Sequence, residues 1–317
     1  MRETKNINIT ALAGGVGGAK LADGLAYLLA PGELVVIVNT GDDFVHYGLY
    51  ICPDLDTVTY TLAGIANEKT GWGRKNETWN AFESIENLGG STWFQLGDRD
   101  LGLHLERSQR LYEGESLSQI TAEFCREFGI HNRILPMCDK PVPTLVETDK
   151  GVIPFQEYFV HQQCEPVVKG FQFQNAEHTD PAPGVIESLS KSDIVVICPS
   201  NPWVSIGPML SINGLLDALK STIVLSISPI IGGKAVKGPA AKMYRELGVE
   251  PSAYSVARHY KNFLTGFVID NKDIDQKHEI SNLGIKIMIT DIMMNTQQDR
   301  IRLAEEVISF GQAIISG

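Results

Sequence analysis

Short, unbroken apolar runs separated by polar loops mark both ends of this chain, and helical periodicity marks its middle. Ile7–Ala13, Leu34–Val38, Ile194–Cys198, Ile223–Ser228 and Ile285–Thr290 have the length and continuity of strands buried on both faces. Leu21, Leu25, Leu28 and Leu29 form one apolar stripe, which predicts a helix over 20–29. Asp54 stands at an N-cap position, opening a helix that runs through Leu62 and stops at Gly64. Further helices are predicted around 215–219, 239–247 and 300–315, with another apolar segment over 263–269. Strands that alternate with helices predict an α/β fold with a mostly parallel sheet.

Between 66 and 133 the strand-like runs vanish. Trp72, Trp79, Phe82 and Ile85, then Leu101–Leu111, follow helical spacing. Ser118–Phe128 reads as an amphipathic helix with Ile120, Phe124 and Phe128 on one face and Gly129 as its stop. Thr144–Glu147 and Val152–Val160 flank the turn Asp149-Lys150-Gly151, a hairpin pattern, and 162–182 is polar and read as irregular. The expected organisation is a core of residues 1–65 and 180–317, with 66–179 as a helical and hairpin insertion.

Composition narrows the function classes. A net charge of −11 argues against a nucleic-acid groove, which needs a basic surface, while leaving room for a nucleotide substrate. No apolar run approaches the ~18 residues of a membrane span, and the first residues lack a signal-peptide core, so a cytoplasmic setting is expected. The 5 cysteines are scattered without Cys-x-x-Cys spacing, which argues against a disulfide framework or a structural zinc site.

The chemistry concentrates in loops that follow the apolar runs. Open α/β sheets bind ligands beyond the carboxyl ends of their strands, so these loops should converge on one cleft. Gly14-Gly15-Val16-Gly17-Gly18-Ala19-Lys20 fits neither a Walker loop nor the dinucleotide fingerprint. Four glycines between a strand and a helix nonetheless suit close approach of an anion. Asp42 and Asp43 follow the second strand, and Asp54 and Asp56 open the next helix. Magnesium commonly takes one or two carboxylates together with phosphate oxygens. Asp98-Arg99-Asp100, beside Trp93 and Phe94, reads equally as a cap or as a cleft wall. The rigid loop Pro199–Pro208 carries Ser200, Asn201 and Ser205, and Lys234, Lys237 and Gly238 precede a helix N-terminus as a second anion site.

With these motifs the chain closely resembles the 2-phospho-L-lactate transferase (CofD-like) family of coenzyme F-420 biosynthesis. The resemblance rests on Gly14–Lys20, Asn39-Thr40-Gly41-Asp42-Asp43, Pro53-Asp54-Leu55-Asp56-Thr57, Leu96-Gly97-Asp98-Arg99-Asp100 and Leu135-Pro136-Met137. It extends through Ser200-Asn201-Pro202, Ser205-Ile206-Gly207-Pro208 and Ser228-Pro229-Ile230-Ile231-Gly232. The family implies a Rossmann-like core, Mg2+ dependence and a homodimer. It implies transfer of a phosphorylated three-carbon acid (2-phospho-L-lactate, phosphoenolpyruvate or phosphoglycerate) from a guanosine diphosphate-linked donor. The acceptor is the ribityl hydroxyl of the deazaflavin Fo, and GMP leaves.

On this reading Asp42, Asp43 and Asp56 hold the metal, and Asp43 and Asp56 are the catalytic carboxylates. Gly14, Gly15, Gly17, Gly18, Lys20, Asn201, Ser205, Lys234, Lys237 and Gly238 hold the nucleotide and diphosphate. Asp56, Gln95, Trp93, Asp98 and Arg99 receive the deazaflavin, with Gln95 standing where archaeal relatives have a lysine. The rival is a nucleotide-sugar-binding regulator of the gluconeogenesis-factor type, which shares the core. An NAD(P)-dependent oxidoreductase fits the fold but lacks the dinucleotide glycine spacing.

Overall fold

The structure, a computed structural model, describes residues 7–236 and 238–317. Seven strands form the central sheet: β1 (Ile9–Ala13), β2 (Leu34–Val38), β3 (Arg133–Pro136), β4 (Ile194–Ile197), β5 (Val224–Ile227), β6 (Gly266–Asp270) and β7 (Lys286–Thr290). Their order is β7-β6-β5-β4-β1-β2-β3, and every neighbouring pair is parallel. Ile9 lies opposite Leu34 on one side and Ile194 on the other. The strand order therefore reverses at β1, which makes the β1–β4 crevice the topological switch point where such sheets bind ligands.

Alternation along the strands feeds two cores. Ala11, Ala13, Val36, Val38 and Val196 face one helical layer, and Leu12, Ile37, Val195 and Ile197 face the other. Helices α1 (Gly15–Leu28), α2 (Pro53–Leu62), α3 (Asn80–Asn87), α4 (Asp98–Tyr112), α5 (Leu117–Glu127) and α6 (Gln297–Ser316) are the ones that matter below. α1 packs against α2 and α6 on the first face. α5 opens with a full capping box of Ser116 and Gln119 and closes before Gly129, whose φ is +70°.

Three expectations shift. Arg133–Pro136 pairs with β2 as the sheet edge, so the core takes in a strand that the sequence reading assigned to the 66–179 insertion. Val168–Phe173 is not irregular: it joins Thr144–Thr148 and Gly151–Pro154 in a three-stranded antiparallel sheet. α1 begins at Gly15 rather than Lys20, so most of the glycine loop is the first turn of a helix.

Candidate phosphoryl-transfer site

Three loops meet at the switch point, joined by their own hydrogen bonds. Ser200 Oγ lies between both backbone groups of Gly14, accepting from its N–H at 3.3 Å and donating to its carbonyl at 3.1 Å. Asn39, fully buried, donates from Nδ2 to Asp54 Oδ2 at 2.9 Å and to the Val204 carbonyl at 3.3 Å, while its Oδ1 accepts Gly41 N–H. Gly15 N–H also bonds the Asp54 carboxylate. The loops after β1, β2 and β4 thus form one floor with the start of α2. Asp54 does not act as the N-cap: Cys52 holds that place and Pro53 is the first helical residue, which frees the carboxylate to reach across the loops.

Gly17 is explained by packing. A Cβ there would sit 2.3 Å from the Pro199 carbonyl oxygen, so the β4 loop already fills the space a side chain would take. Gly15 has φ +60°, a conformation that favours glycine, and faces only the Asp54 carboxylate. The first four N–H groups of a helix lack intrahelical acceptors. Here Ser200 takes that of Gly14 and Asp54 that of Gly15, which leaves Val16 and Gly17 at the positive end of α1.

Four aspartates are buried beside this floor: Asp42, Asp43, Asp54 and Asp56. Asp42 Oδ1 and both oxygens of Asp43 have no hydrogen-bond partner. Burial, then the neighbouring Asp54 charge, hold the Asp42 carboxyl well above the usual range. Burial does the same for Asp43, with Asp56 and Asp54 adding to it. Burial pushes Asp54 up to about 6 against the hydrogen bonds that favour its charged form. Unpaired buried carboxyls are costly unless a cation completes them.

Asp56 is different. The guanidinium of Arg107 on α4 spans both of its oxygens, and His104 Nδ1 lies 3.7 Å from Oδ2. Asp100 follows from His104, and the Tyr60 hydroxyl donates to Asp100. Asp56, expected in the metal set, has both carboxylate oxygens occupied by the Arg107 guanidinium. The Asp54 carboxylate lies close enough to Asp42 for its charge to raise it. Among the described residues no three His, Cys, Asp or Glu side chains converge as a ready-made cage. A set of two or three aspartates suits a hard cation that draws its remaining ligands from phosphate and water.

Other expected residues hold structural posts. Lys20 Nζ donates to the Met294 carbonyl at 2.8 Å. Asn201 caps the turn over 202–206, and its Nδ2 faces Met243 Sδ. Ser205 packs its side chain against Gly14. Asp98 does not face an acceptor: it accepts from Thr78 Oγ1, from Asn80 N–H and Nδ2 and from Ala81 N–H, at the start of α3, and these bonds hold its carboxyl far below the usual range. Lys234 lies exposed in a hairpin whose Gly232 N–H is bonded to Asp273, near Gly238, and neither joins the aspartate floor by a hydrogen bond. Lys237 lies outside the described residues. Gln95 and Arg99 are exposed on the insertion. Trp93 meets Phe44 and His46 at ring distances of 5.8 and 5.2 Å and stacks on His161 at 5.3 Å.

Arg107, His104 and Asn39 carry no role in the sequence reading. For the α4 pair a signal existed: Asp100, His104 and Arg107 fall at i, i+4 and i+7, a polar stripe on one helical face.

The family described as 2-phospho-L-lactate transferase CofD matches residues 9–305. A phosphoenolpyruvate transferase of Streptomyces griseus is 41% identical over 316 residues, spanning 95% of this chain and 99% of that protein. A 2-phospho-L-lactate transferase of Methanosarcina mazei is 38% identical, spanning 93% and 98%. A crystal structure of a UPF0052-family protein from Bacillus halodurans shares the fold at a TM-score of 0.63 and 15% identity, over 96% of this chain and 99% of that one.

Proposed function

The chain belongs to the 2-phospho-L-lactate transferase CofD family, and from that premise we propose that it transfers a phosphorylated three-carbon acid from a guanosine diphosphate-linked donor to the ribityl hydroxyl of Fo. Relatives named for phospholactate and for phosphoenolpyruvate are similar to it at 38–41% identity, so the acid is assigned as a class. No helix among the described residues is long and apolar enough to cross a membrane, and both substrates are water-soluble; a cytoplasmic setting fits.

The observation that carries the reading is the buried aspartate cluster at the N-terminus of α1, with Asp42 Oδ1 and both Asp43 oxygens unpaired. Asp42 and Asp54, with Asp43 beside them, would hold a Mg2+ ion, which when bound neutralises charge on the diphosphate. The Val16 and Gly17 N–H groups in the first turn of α1 would bond the same diphosphate, where the helix dipole favours negative charge. Asn39 and Ser200 keep the three loops in register, so the donor meets a preorganised floor. The Fo hydroxyl oxygen forms its bond to the phosphorus nearer the organic acid. The bond from that phosphorus to the bridging oxygen breaks, and GMP leaves with that oxygen. Asp43, whose oxygens lack an N–H or O–H donor and have only the Cys52 thiol as a partner, is the carboxylate left to accept the hydroxyl proton. The Trp93 cluster, with Phe44, Phe94 and His161, would offer the tricyclic ring an aromatic wall.

Calorimetry with GDP tests the assignment. Affinity should rise at least about tenfold when Mg2+ is added, and Asp54→Asn should erase that gain. GDP binding indifferent to Mg2+ would remove the cation from the account.

A further inference from the structure

Arg107 is fully buried, on the helix that begins at the acceptor-side motif, yet it reaches into the carboxylate cluster of the core. It donates to both oxygens of Asp56 and to the Tyr50 carbonyl. His104, one turn before it, lies between Asp56 and Asp100. We propose that Arg107 is a positioning residue that withdraws Asp56 from the cation site, so that Asp42 and Asp54 alone set where the divalent ion sits. This rests on the cation reading given above.

The physical argument is one of charge and occupancy. A bidentate guanidinium occupies the lone pairs a metal would need, and its positive charge repels a second cation from Asp56. Four buried aspartates without that charge would form a deeper, less selective trap. With it, the one carboxylate tied to the insertion is neutralised, and Asp42 and Asp54 are left to the cation. Asp56 then joins α4 to the N-terminal turn of α2, fixing the acceptor-side helix against the donor floor.

The test reads Mn2+ binding by electron paramagnetic resonance, with GDP present, in the intact chain. The double variant Asp56→Asn/Arg107→Met removes both charges together; such paired replacements of a buried ion pair are commonly tolerated, while breaking one side is not. It should bind Mn2+ within about threefold of wild type. Arg107→Met alone should bind Mn2+ at least about tenfold more tightly, because Asp56 is released as a ligand. Arg107→Lys, which keeps the charge without the bidentate fork, should bind Mn2+ with an affinity between those of wild type and Arg107→Met. Loss of Mn2+ from the folded double variant would make Asp56 a ligand and overturn the proposal. So would unchanged affinity in a folded Arg107→Met. If Arg107→Met does not fold, the double variant decides. A wild-type chain that binds no Mn2+ would instead overturn the cation reading itself.

Discussion

Both oxygens of Asp43 are buried without a hydrogen-bond partner, so its ionised form is disfavoured in the metal-free chain. Asp42 and Asp54 are raised in the same direction. A carboxyl whose folded value lies above its unfolded one contributes its stability in full below about pH 4. That contribution is lost as pH rises, through about 6 for Asp54. Thermal melts in chelator should therefore show Asp43→Asn pulling ahead of wild type as pH is raised from 5 to 8, by a few °C at the upper end. Its transfer rate should fall by at least about 100-fold. A gap in melting temperature that does not change with pH would contradict the burial argument. The acidic clusters were legible as sequence motifs, but their division was not. Arg107, 51 residues away in the chain, is what sets Asp56 apart from the other three.

At the scale of elements, the strands buried on both faces announced themselves as continuous apolar runs. β3 did not, because Arg133-Ile134-Leu135-Pro136 is a four-residue edge strand closed by proline. Val168–Phe173 was hidden by Lys169, Gly170 and Gln172, which alternate with its apolar residues on a partly exposed sheet. The glycine loop was found, but the reason for its glycines divides along α1. Gly17→Ala should drive a methyl group into the Pro199 carbonyl and destabilise the fold by about 1–3 kcal/mol, as overpacking does. Gly15→Ala meets mainly the left-handed backbone penalty, about 1–2 kcal/mol, and brings its methyl toward the cluster's own Asp54. Urea unfolding measures the first effect. GDP calorimetry on the two folded variants should show affinity lost in Gly15→Ala, where the methyl faces the ligand side.

Across the whole molecule, the parallel sheet supplies the aspartate floor, and the loop before α4 brings Trp93 and Phe94 against Phe44 and His46. Asp98 pins the start of α3 to the start of α4 within the insertion, and Arg107 pins α4 to α2 of the core, through charged side chains whose partners are distant in the chain. On the proposed function Trp93 is the residue of that cluster that meets the planar ring. Trp93→Ala should weaken Fo binding by up to about tenfold, the worth of one aromatic contact, while GDP affinity is unchanged; quenching of Fo fluorescence reads the first and calorimetry the second. The central claim is group transfer onto the deazaflavin hydroxyl, and product analysis tests it most directly. Wild-type protein, Mg2+, Fo and each of the three guanosine diphosphate-linked acids are incubated, and products are resolved by mass spectrometry. The account predicts an Fo phosphodiester carrying the three-carbon acid, with one GMP released per product, from at least one donor and from none in excess chelator. Intact Fo and intact donor in every mixture, with the nucleotide merely bound, would contradict it and leave a nucleotide-binding regulator in its place.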